Sequence, residues 1–304
     1  MEDFASGVLM GAVQRALRRD GIPIGLSLRH EALVPLGDKR RLLAAVADQH
    51  GLLPLLRVGM VLPYMPADAA IAALTSAQDP ADLFARWSRL ERFTHSQHRV
   101  VVRELGSHGI TAEHIGLTGQ APARYEDALI VGVLAALLER IGVQGLSVRL
   151  GEHDGLRDGQ WSLPEQEQRT SLWRFAWDAI GTSVSNDGLE AESGSGASAQ
   201  AMNLLSADLG RRWTLSELAN ALQTSPRSLQ RSLAERGGFG GLVAAARADA
   251  ASIMLINQAL PLSMVGFACG YADQPHFTRT FKRQTALTPA AYRAAFAKPE
   301  GARL

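Results

Sequence analysis

The first 180 residues show apolar positions with two different periods. Apolar residues at three- and four-residue spacing predict amphipathic or buried helices over 38–49, 79–94, 122–141 and 169–180. Runs rich in β-branched residues or placed after glycine turns predict short strands over 99–105, 115–117 and 146–150. Helices and strands therefore alternate without a repeated unit, which predicts an α+β fold for this part of the chain.

After residue 200 the pattern becomes almost purely helical. Thr214 and Glu217 have the spacing of a capping box, in which the hydroxyl and the carboxylate each accept a backbone N–H at the start of a helix. Ser225 can cap a second helix, which stops at a pair of glycines. Only a two-residue turn separates the two helices, so the segment predicts a helix-turn-helix.

Residues 181–199 are rich in Gly, Ser, Asn and Asp and hold only two large apolar side chains. Such a segment cannot bury a core of its own, which predicts a flexible linker. We therefore divide the chain into an α+β domain over 1–180, a linker over 181–199 and an all-α domain over 200–304.

The charges are distributed unevenly between these parts. The net charge of the whole chain is +1, but residues 200–304 hold twelve Lys and Arg against six Asp and Glu, while residues 1–199 hold nineteen against twenty-four. A basic region next to an acidic one is typical of a protein in which one part contacts nucleic acid.

The composition excludes several classes of protein. A single cysteine, Cys269, rules out a disulfide framework and a multi-cysteine zinc site. Apolar runs such as 128–138 are shorter than the ~18 to 20 residues that span a bilayer, and the N-terminus lacks the pattern of a signal peptide. We expect a cytoplasmic protein with no membrane contact, no cofactor and no metal site.

An arginine between two apolar anchors occurs twice at an offset of 48 residues, as Leu229-Arg231-Leu233 and as Phe277-Arg279-Phe281. A helix predicted over 241–258 separates the two copies and would be ~27 Å long. Successive major-groove faces of DNA are about 34 Å apart. One chain could therefore place two recognition helices in neighbouring grooves.

Three segments carry a family resemblance: LSELANALQTSPRSLQRSL, RADAASIML and VGFACGYADQPHFTRTFKRQTALTPAAYR. In this order and spacing they resemble the DNA-binding domain of AraC/XylS-type transcription regulators. The resemblance implies two helix-turn-helix units joined by a long linker helix. The chain departs from the family at Gly266, where Ala is usual, and at Thr285-Ala286, where Phe-Gly is common.

The resemblance also assigns roles to individual side chains. It implies base contacts for Arg227, Gln230 and Arg231 on the first recognition helix and for His276, Thr278 and Arg279 on the second. Arg can bind guanine and Gln adenine through two hydrogen bonds each, and Thr can contact the thymine methyl group. Contacts with phosphates, or a role in packing, are implied for Ser225, Arg247, Lys282, Arg283 and Thr288. Core positions are expected at Leu218, Leu229, Leu233, Val265, Phe267, Phe277, Phe281 and Tyr292.

The first 180 residues resemble, in the order of their elements, the arabinose-binding-like effector domains found in many members of that family. An effector pocket needs apolar walls and a few polar anchors, and the candidates are Trp87, Arg124, Tyr125 and Trp161. Trp173 and Trp177 are expected in the core or at a dimer interface. The histidine cluster His95, His98, His108 and His114, with Glu113 beside it, fits no standard metal-ligand spacing.

These features predict a sequence-specific transcription regulator rather than an enzyme. The expected partners are double-stranded promoter DNA, RNA polymerase, an unidentified small-molecule effector and a second copy of the chain. Two alternatives stay open: a regulator controlled by a protein partner, and an enzyme domain fused to a helix-turn-helix module. The residues alone leave activation and repression open.

Overall fold

The computed structural model describes residues 4–23, 33–65, 68–95, 97–163, 169–181, 197–257 and 260–296. The chain divides into two compact units, Met1–Ser183 and Val184–Leu304. Most of the predicted linker, residues 182–196, lies outside the described residues, and residues 197–199 are the first turn of a helix.

The N-terminal unit combines helices with antiparallel strands in an α+β fold. Its helices are α1 (Gly7–Arg19), α2 (Leu36–His50), α3 (Leu53–Leu56), a 3-10 helix (Val58–Tyr64), α4 (Ala69–Thr75), α5 (Pro80–Thr94) and α6 (Arg124–Arg140). Its strands are β1 (Phe4–Ser6), β2 (Leu33–Pro35), β3 (His98–Gly106), β4 (Gly109–Gly116), β5 (Val143–Gln144), β6 (Ser147–Leu150), β7 (His153–Arg157), β8 (Gln160–Trp161), β9 (Leu172–Ala176) and β10 (Ala179–Ile180).

One antiparallel sheet of six strands organises this unit, in the order β3-β4-β9-β6-β7-β8. Two short antiparallel pairs, β1-β2 and β5-β10, lie outside it. The helices predicted over 38–49, 79–94 and 122–141 are present as α2, α5 and α6. The strand predicted over 115–117 is only the end of the longer β4.

The helix predicted over 169–180 is wrong, because this segment forms β9 and β10. Trp173 and Phe175 are buried, whereas Arg174 and Ala176 between and after them are exposed. This alternation is the two-residue period of a strand, and β9 pairs with β4 and β6 on its two sides. Trp173 and Trp177, four residues apart, produced a false helical signal, although both are core residues as expected.

Helix α6 is the central element of the unit and is buried along most of its length. It packs closely against α3 and the 3-10 helix, because Gly132 and Gly59 carry no side chain at the contact. A Cβ on Gly132 would overlap the carbonyl of Leu56, and a Cβ on Gly59 would overlap Ala136. The first turn of α6 carries two buried acids, Glu126 and Asp127.

The C-terminal unit is entirely helical among its described residues. It consists of α7 (Ala197–Ala207), α8 (Leu215–Ala221), α9 (Pro226–Ser232), a 3-10 turn (Ala234–Arg236), α10 (Gly238–Asn257), α11 (Leu262–Ala268), α12 (Gln274–Thr285) and α13 (Pro289–Phe296). Of the predicted core residues, all are buried except Tyr292, which is half-buried and packs edge-on against Phe281.

Helix α10 lies between the two pairs of short helices and contacts α7, α9, α11, α12 and α13. Its segment Gly238–Ile256 has a mean hydropathy of 1.5 and is long enough to cross a membrane by length and composition, whereas the sequence predicts no apolar segment of that length. Leu242 and Ala246 of this helix are buried in a cluster with Leu205 and Leu229. These contacts bury part of α10, since 28% of its apolar segment is buried within the unit.

Candidate nucleic-acid interface

Local hydrogen bonds define the starts of α8 and α9. The Thr214 hydroxyl accepts from the Glu217 amide at 3.2 Å, and the Thr214 amide donates to the Glu217 carboxylate at 2.7 Å, so the predicted capping box is present. Gln223, with a φ of 51°, forms the left-handed residue of the turn. Ser225 caps α9 by accepting from the Ser228 amide at 3.1 Å.

Helices α11 and α12 form the second pair. Gly270, with a φ of 77°, makes the turn, and a Cβ there would overlap the carbonyl of Leu209. Asp273 caps α12 by accepting from the His276 amide at 2.7 Å. Phe277 and Phe281 on one face of α12 are fully buried, with ring centroids 5.6 Å apart. The opposite face of α12 therefore points away from the core.

Most of the predicted base-contacting side chains lie on exposed helix faces. Arg227, Gln230 and Arg231 are exposed on α9, and Arg279 is exposed on α12, while Thr278 is half-buried. The Gln230 carboxamide lies against Gly238 at the start of α10. Buried Leu229 anchors α9 from the other side, so the burial pattern of this helix separates anchors from candidate contacts.

His276 is more constrained than a freely exposed side chain. Its Nδ1 accepts a hydrogen bond from the Ala272 amide at 3.0 Å, and its ring packs edge-on against Tyr271. Burial lowers the pKa of His276, and the nearby Arg247 acts in the same direction. The imidazole is therefore neutral at pH 7, and its remaining proton is on Nε2, which can act as a hydrogen-bond donor.

The predicted phosphate-contacting residues fall into two groups. Ser225 and Thr288 are helix caps, since the Thr288 hydroxyl accepts from the Ala291 amide at 3.2 Å at the start of α13. Lys282 and Arg283 are exposed in the last part of α12, whereas Arg247 is half-buried in α10. The sequence singled out all five but did not distinguish the caps from the cations.

A cavity of about 360 Å³ lies at the junction of α7, α10 and α12. Its apolar wall is formed by Leu205, Leu209, Trp213, Phe239 and Val243, and its basic residues are Arg211, Arg212, Arg247, His276 and Arg283. The guanidinium of Arg211 lies 4.0 Å above the Trp213 ring. Arg211 and Arg212 had not been identified from the sequence, although they stand next to each other just before the capping box.

Comparison with known proteins assigns this region to a family. A family model described as a helix-turn-helix domain matches residues 218–295. The transcriptional regulator SirC of Salmonella typhimurium is 35% identical over 91 residues, which cover 30% of this chain and 31% of SirC. The transcriptional activator CfaD of Escherichia coli is 26% identical over 88 residues, or 29% of this chain and 33% of CfaD. The C-terminal unit carries an AraC-type helix-turn-helix domain.

The comparisons concern the AraC-type domain rather than the whole protein. The chain matches about one third of the length of each of these two relatives. Among solved structures, the C-terminal domain of AraT, a response regulator from Geobacillus stearothermophilus, is 24% identical, with a TM-score of 0.32. That similarity covers 36% of this chain and 93% of the other.

Outside the AraC-type domain, the four predicted effector residues do not form one site. Trp87 is buried in α5, where its Nε1 donates to Glu91 at 2.9 Å, and Trp161 lies in the outermost strand β8. Arg124 and Tyr125 are half-buried in the first turn of α6. Arg124 lines a cavity of about 430 Å³ together with His114, Asp127, Arg169 and Thr170, among other residues; Trp87, Tyr125 and Trp161 do not line it.

The histidine cluster is only partly as the sequence suggested. The rings of His95 and His98 stack at 5.2 Å, and His98 and His114 meet edge-on at 5.3 Å. His108 lies apart on the exposed turn between β3 and β4, and Glu113 forms ion pairs with Arg103 and Arg169 instead. The acids that belong to the cluster are Glu126 and Asp127, which sequence distance had hidden.

His95, His98 and Glu126 offer three buried ligand atoms within 4.8 Å of one another, which is close enough to hold a metal ion. The Nζ of Lys39 lies 3.0 Å from Glu126 Oε1 and 3.0 Å from His95 Nε2. The ammonium group of Lys39 therefore occupies the position between the carboxylate and the imidazole that a cation would take.

Burial controls the ionisation of this cluster. It lowers the pKa of His98 to about 4 and raises the pKa of Glu91 to about 8, although Glu91 accepts from the Val100 amide at 3.0 Å. Burial would also raise the pKa of Glu126, but the ammonium of Lys39 holds it below its ordinary value. Burial likewise lowers the pKa of His95 and of Lys39, and the Glu126 carboxylate opposes this effect at Lys39.

Proposed function

We propose that the protein is a sequence-specific DNA-binding transcription regulator in which α9 and α12 are two recognition helices. The observation that carries this proposal is the repeated geometry of the two helices. Each begins at a side-chain cap, and each presents an exposed arginine, Arg231 or Arg279, opposite buried apolar anchors. The names of SirC and CfaD support control of transcription, and CfaD supports activation.

The side chains on α9 suit readout of the major groove. Arg227 and Arg231 can each bind guanine O6 and N7, and Gln230 can bind adenine N6 and N7. On α12, Arg279 takes the corresponding guanine role, Thr278 can contact a thymine methyl group, and neutral His276 donates from Nε2 to a base acceptor. Specificity would then come from two short clusters separated by α10.

Phosphate contacts would fix the register of the two helices on DNA. Lys282 and Arg283 are exposed cations beside the reading face of α12, and the capped amino ends of α9 and α13 at Ser225 and Thr288 offer backbone amides. Arg247 of α10 is assigned to the same role.

The test begins with selection of binding sites from random duplex DNA by the full-length protein, followed by footprinting. Arg231→Ala and Arg279→Ala should each lose about 1 to 3 kcal/mol of specific binding and relax the preference at one base position. Arg15 is an exposed arginine of α1, outside the helix-turn-helix domain. Arg15→Ala removes the same charge and should retain both the affinity for specific DNA and the base preference. Unchanged affinity and footprints in both test variants would refute the base contacts.

For the N-terminal unit we propose effector binding and dimerisation. The cavity beside α6 supports an effector site, since it combines Arg124 with hydrogen-bonding groups of His114 and Thr170. Calorimetric titration of the full-length protein with candidate metabolites tests this idea, with Arg124→Ala as the matched variant. If no metabolite binds but a cellular protein associates with residues 1–180, control by a protein partner is the better description.

A further inference from the structure

The cavity of the C-terminal unit lies between α7, α10 and α12. The residues that α10 contributes are Phe239, Gly240, Val243, Ala244, Ala246 and Arg247, and those of α12 are His276, Thr280 and Arg283. The three α12 residues recur at three- or four-residue spacing, so they lie on one side of that helix. The loop before α8 closes the cavity with Arg211 and Arg212.

The charge of this cavity is not balanced by the protein. Four arginines line it, and no Asp or Glu is among its described lining residues. Arg211 reaches Glu217 at 3.4 Å and stacks on Trp213, so its charge is partly compensated. Arg212, Arg247 and Arg283 have no ion pair with a described Asp or Glu. Such a concentration of cations in a concave site attracts an anion.

Arg247 gives the clearest sign that a ligand is expected. Within the described residues its Nε is buried and has no hydrogen-bond acceptor, and the same holds for the hydroxyl of Tyr271. Burial lowers the pKa of Arg247, Tyr271 and Cys269 act against this effect, and Arg212 adds to it. A buried donor without an acceptor is costly, and a guanidinium donor more so.

The geometry points to a phosphate group as the missing acceptor, and we propose that this group is a phosphodiester of the DNA backbone. The guanidinium fork matches phosphate oxygens, and the neutral His276 can add a donor. The DNA source is favoured by position. One wall of the cavity is α12 itself, and the cavity reaches Gly240, close to the point where Gln230 of α9 lies against α10.

This proposal rests on the proposed function and adds one element to it. If α9 and α12 enter successive major grooves, the backbone that crosses between them passes the cavity on α10. Arg247 and Arg283, with Arg212, would then hold the phosphate between the two half-sites. The site would fix the spacing of the half-sites without reading any base.

The experiment uses the full-length protein and the duplex obtained by selection. A neutral methylphosphonate is placed at one linkage at a time between the two half-sites. For the unaltered protein, one central linkage should lower affinity about tenfold. In Arg247→Gln the methylphosphonate at that linkage should hardly change the DNA affinity. The magnitude of the slope of log affinity against log salt should decrease by about one. Base preference should be retained.

Three further variants complete the test. Arg283→Gln should also reduce the central penalty, whereas Arg236→Gln, an exposed arginine outside the cavity, should leave it unchanged. If Arg247→Gln fails to fold, Arg247→Lys keeps the charge but loses the fork and should reduce the penalty in part. An equal methylphosphonate penalty in the unaltered protein and in all cavity variants would overturn the proposal.

Inorganic phosphate distinguishes the two sources of the ligand. It should compete with DNA only weakly, in the millimolar range set by ionic strength. A different result would assign the cavity to a free anion and refute the DNA role. In that case calorimetry would show tight phosphate binding that is lost in Arg247→Gln, while the methylphosphonate at the central linkage would still lower the DNA affinity of this variant. If the protein selected no DNA at all, the proposed function would fail; if Arg231→Ala lost specificity while Arg247→Gln kept the full penalty and slope, only this inference would fail.

Discussion

The two units treat a buried cation in opposite ways. In the N-terminal unit, the ammonium of Lys39 is 1% exposed and lies 3.0 Å from the Glu126 carboxylate. In the C-terminal unit, Arg247 is half-buried, and no described carboxylate forms an ion pair with it. Both groups lose hydration on folding, but among the described residues only the Lys39 ammonium gains a carboxylate partner in return.

We interpret the paired Lys39 as a charge that stabilises the fold and the unpaired Arg247 as a charge that binds a ligand. A buried ion pair is often no more stabilising than apolar residues of the same size, yet removing one partner is severe because the other charge is left behind. Lys39 and Glu126 are therefore expected to hold α2, α5 and α6 together. Arg247 has no such partner to lose, so its charge is available for a ligand.

The largest expected loss of stability follows from breaking the Lys39–Glu126 ion pair. Glu126→Gln leaves the Lys39 ammonium buried without a carboxylate and should lower the free energy of unfolding by about 3 to 5 kcal/mol. Urea unfolding followed by tryptophan fluorescence measures it. Glu139→Gln, at the exposed end of the same helix, is the matched control. A loss below about 1 kcal/mol would show that the pair does not anchor the unit.

A smaller loss is expected when both partners are removed together. Lys39→Met combined with Glu126→Leu leaves no unpaired charge, so it should cost clearly less than Glu126→Gln alone. Urea unfolding of the single and double variants gives the coupling free energy between the two positions. Additive losses would mean that Lys39 and Glu126 stabilise the unit independently, and the contrast with Arg247 would disappear.

The pH dependence of stability tests the neutral part of the same cluster. The folded pKa of Glu91 is raised to about 8, whereas an unfolded Glu ionises near 4.5. The folded state therefore holds a proton that the unfolded state has lost, so stability falls as pH rises, and this loss is complete near pH 8. Between pH 6.5 and 8 the unfolding free energy should decline. Glu91→Gln, which mimics the protonated acid, should flatten this decline; a persistent decline would assign it to other groups such as Asp127.

The smallest expected change in stability belongs to the unpaired cation. Arg247→Met keeps the apolar stem and removes the charge, so the unfolding free energy should change by less than about 1 kcal/mol. The measurement is the same urea series. A cost as large as that of Glu126→Gln would reveal a partner for Arg247 within the chain.

The sequence predicted the AraC-type domain well because its signals are local. Caps such as Ser225 and Asp273 lie three residues from the amides they bind, and the anchors Leu229 and Phe277 follow a helical period. The histidine cluster was harder, since Lys39, His95 and Glu126 come from three distant segments. No pattern within a window of residues shows that such side chains meet.

The N-terminal unit also shows how a local signal can mislead. Trp173 and Trp177 are spaced like neighbours on a helix, but the segment is inserted between β4 and β6 of the sheet. Pairing on both sides overrides a weak helical preference, and the alternation of Trp173, Arg174 and Phe175 was the better guide. Boundaries were recovered to within a few residues where an Asp caps the helix, as at Asp79.

Helix α10 has a consequence for how this protein can change over time. Each residue of a helix advances it by about 1.5 Å and turns it by about 100°. On the proposed mode of binding, a one-residue insertion in α10 would therefore swing α12 around the helix axis and carry Arg279 away from the groove that it is proposed to contact. Its many alanines can be exchanged for other small residues at little cost, but on the proposed mode of binding a change in its length would require a different spacing of the two half-sites in DNA.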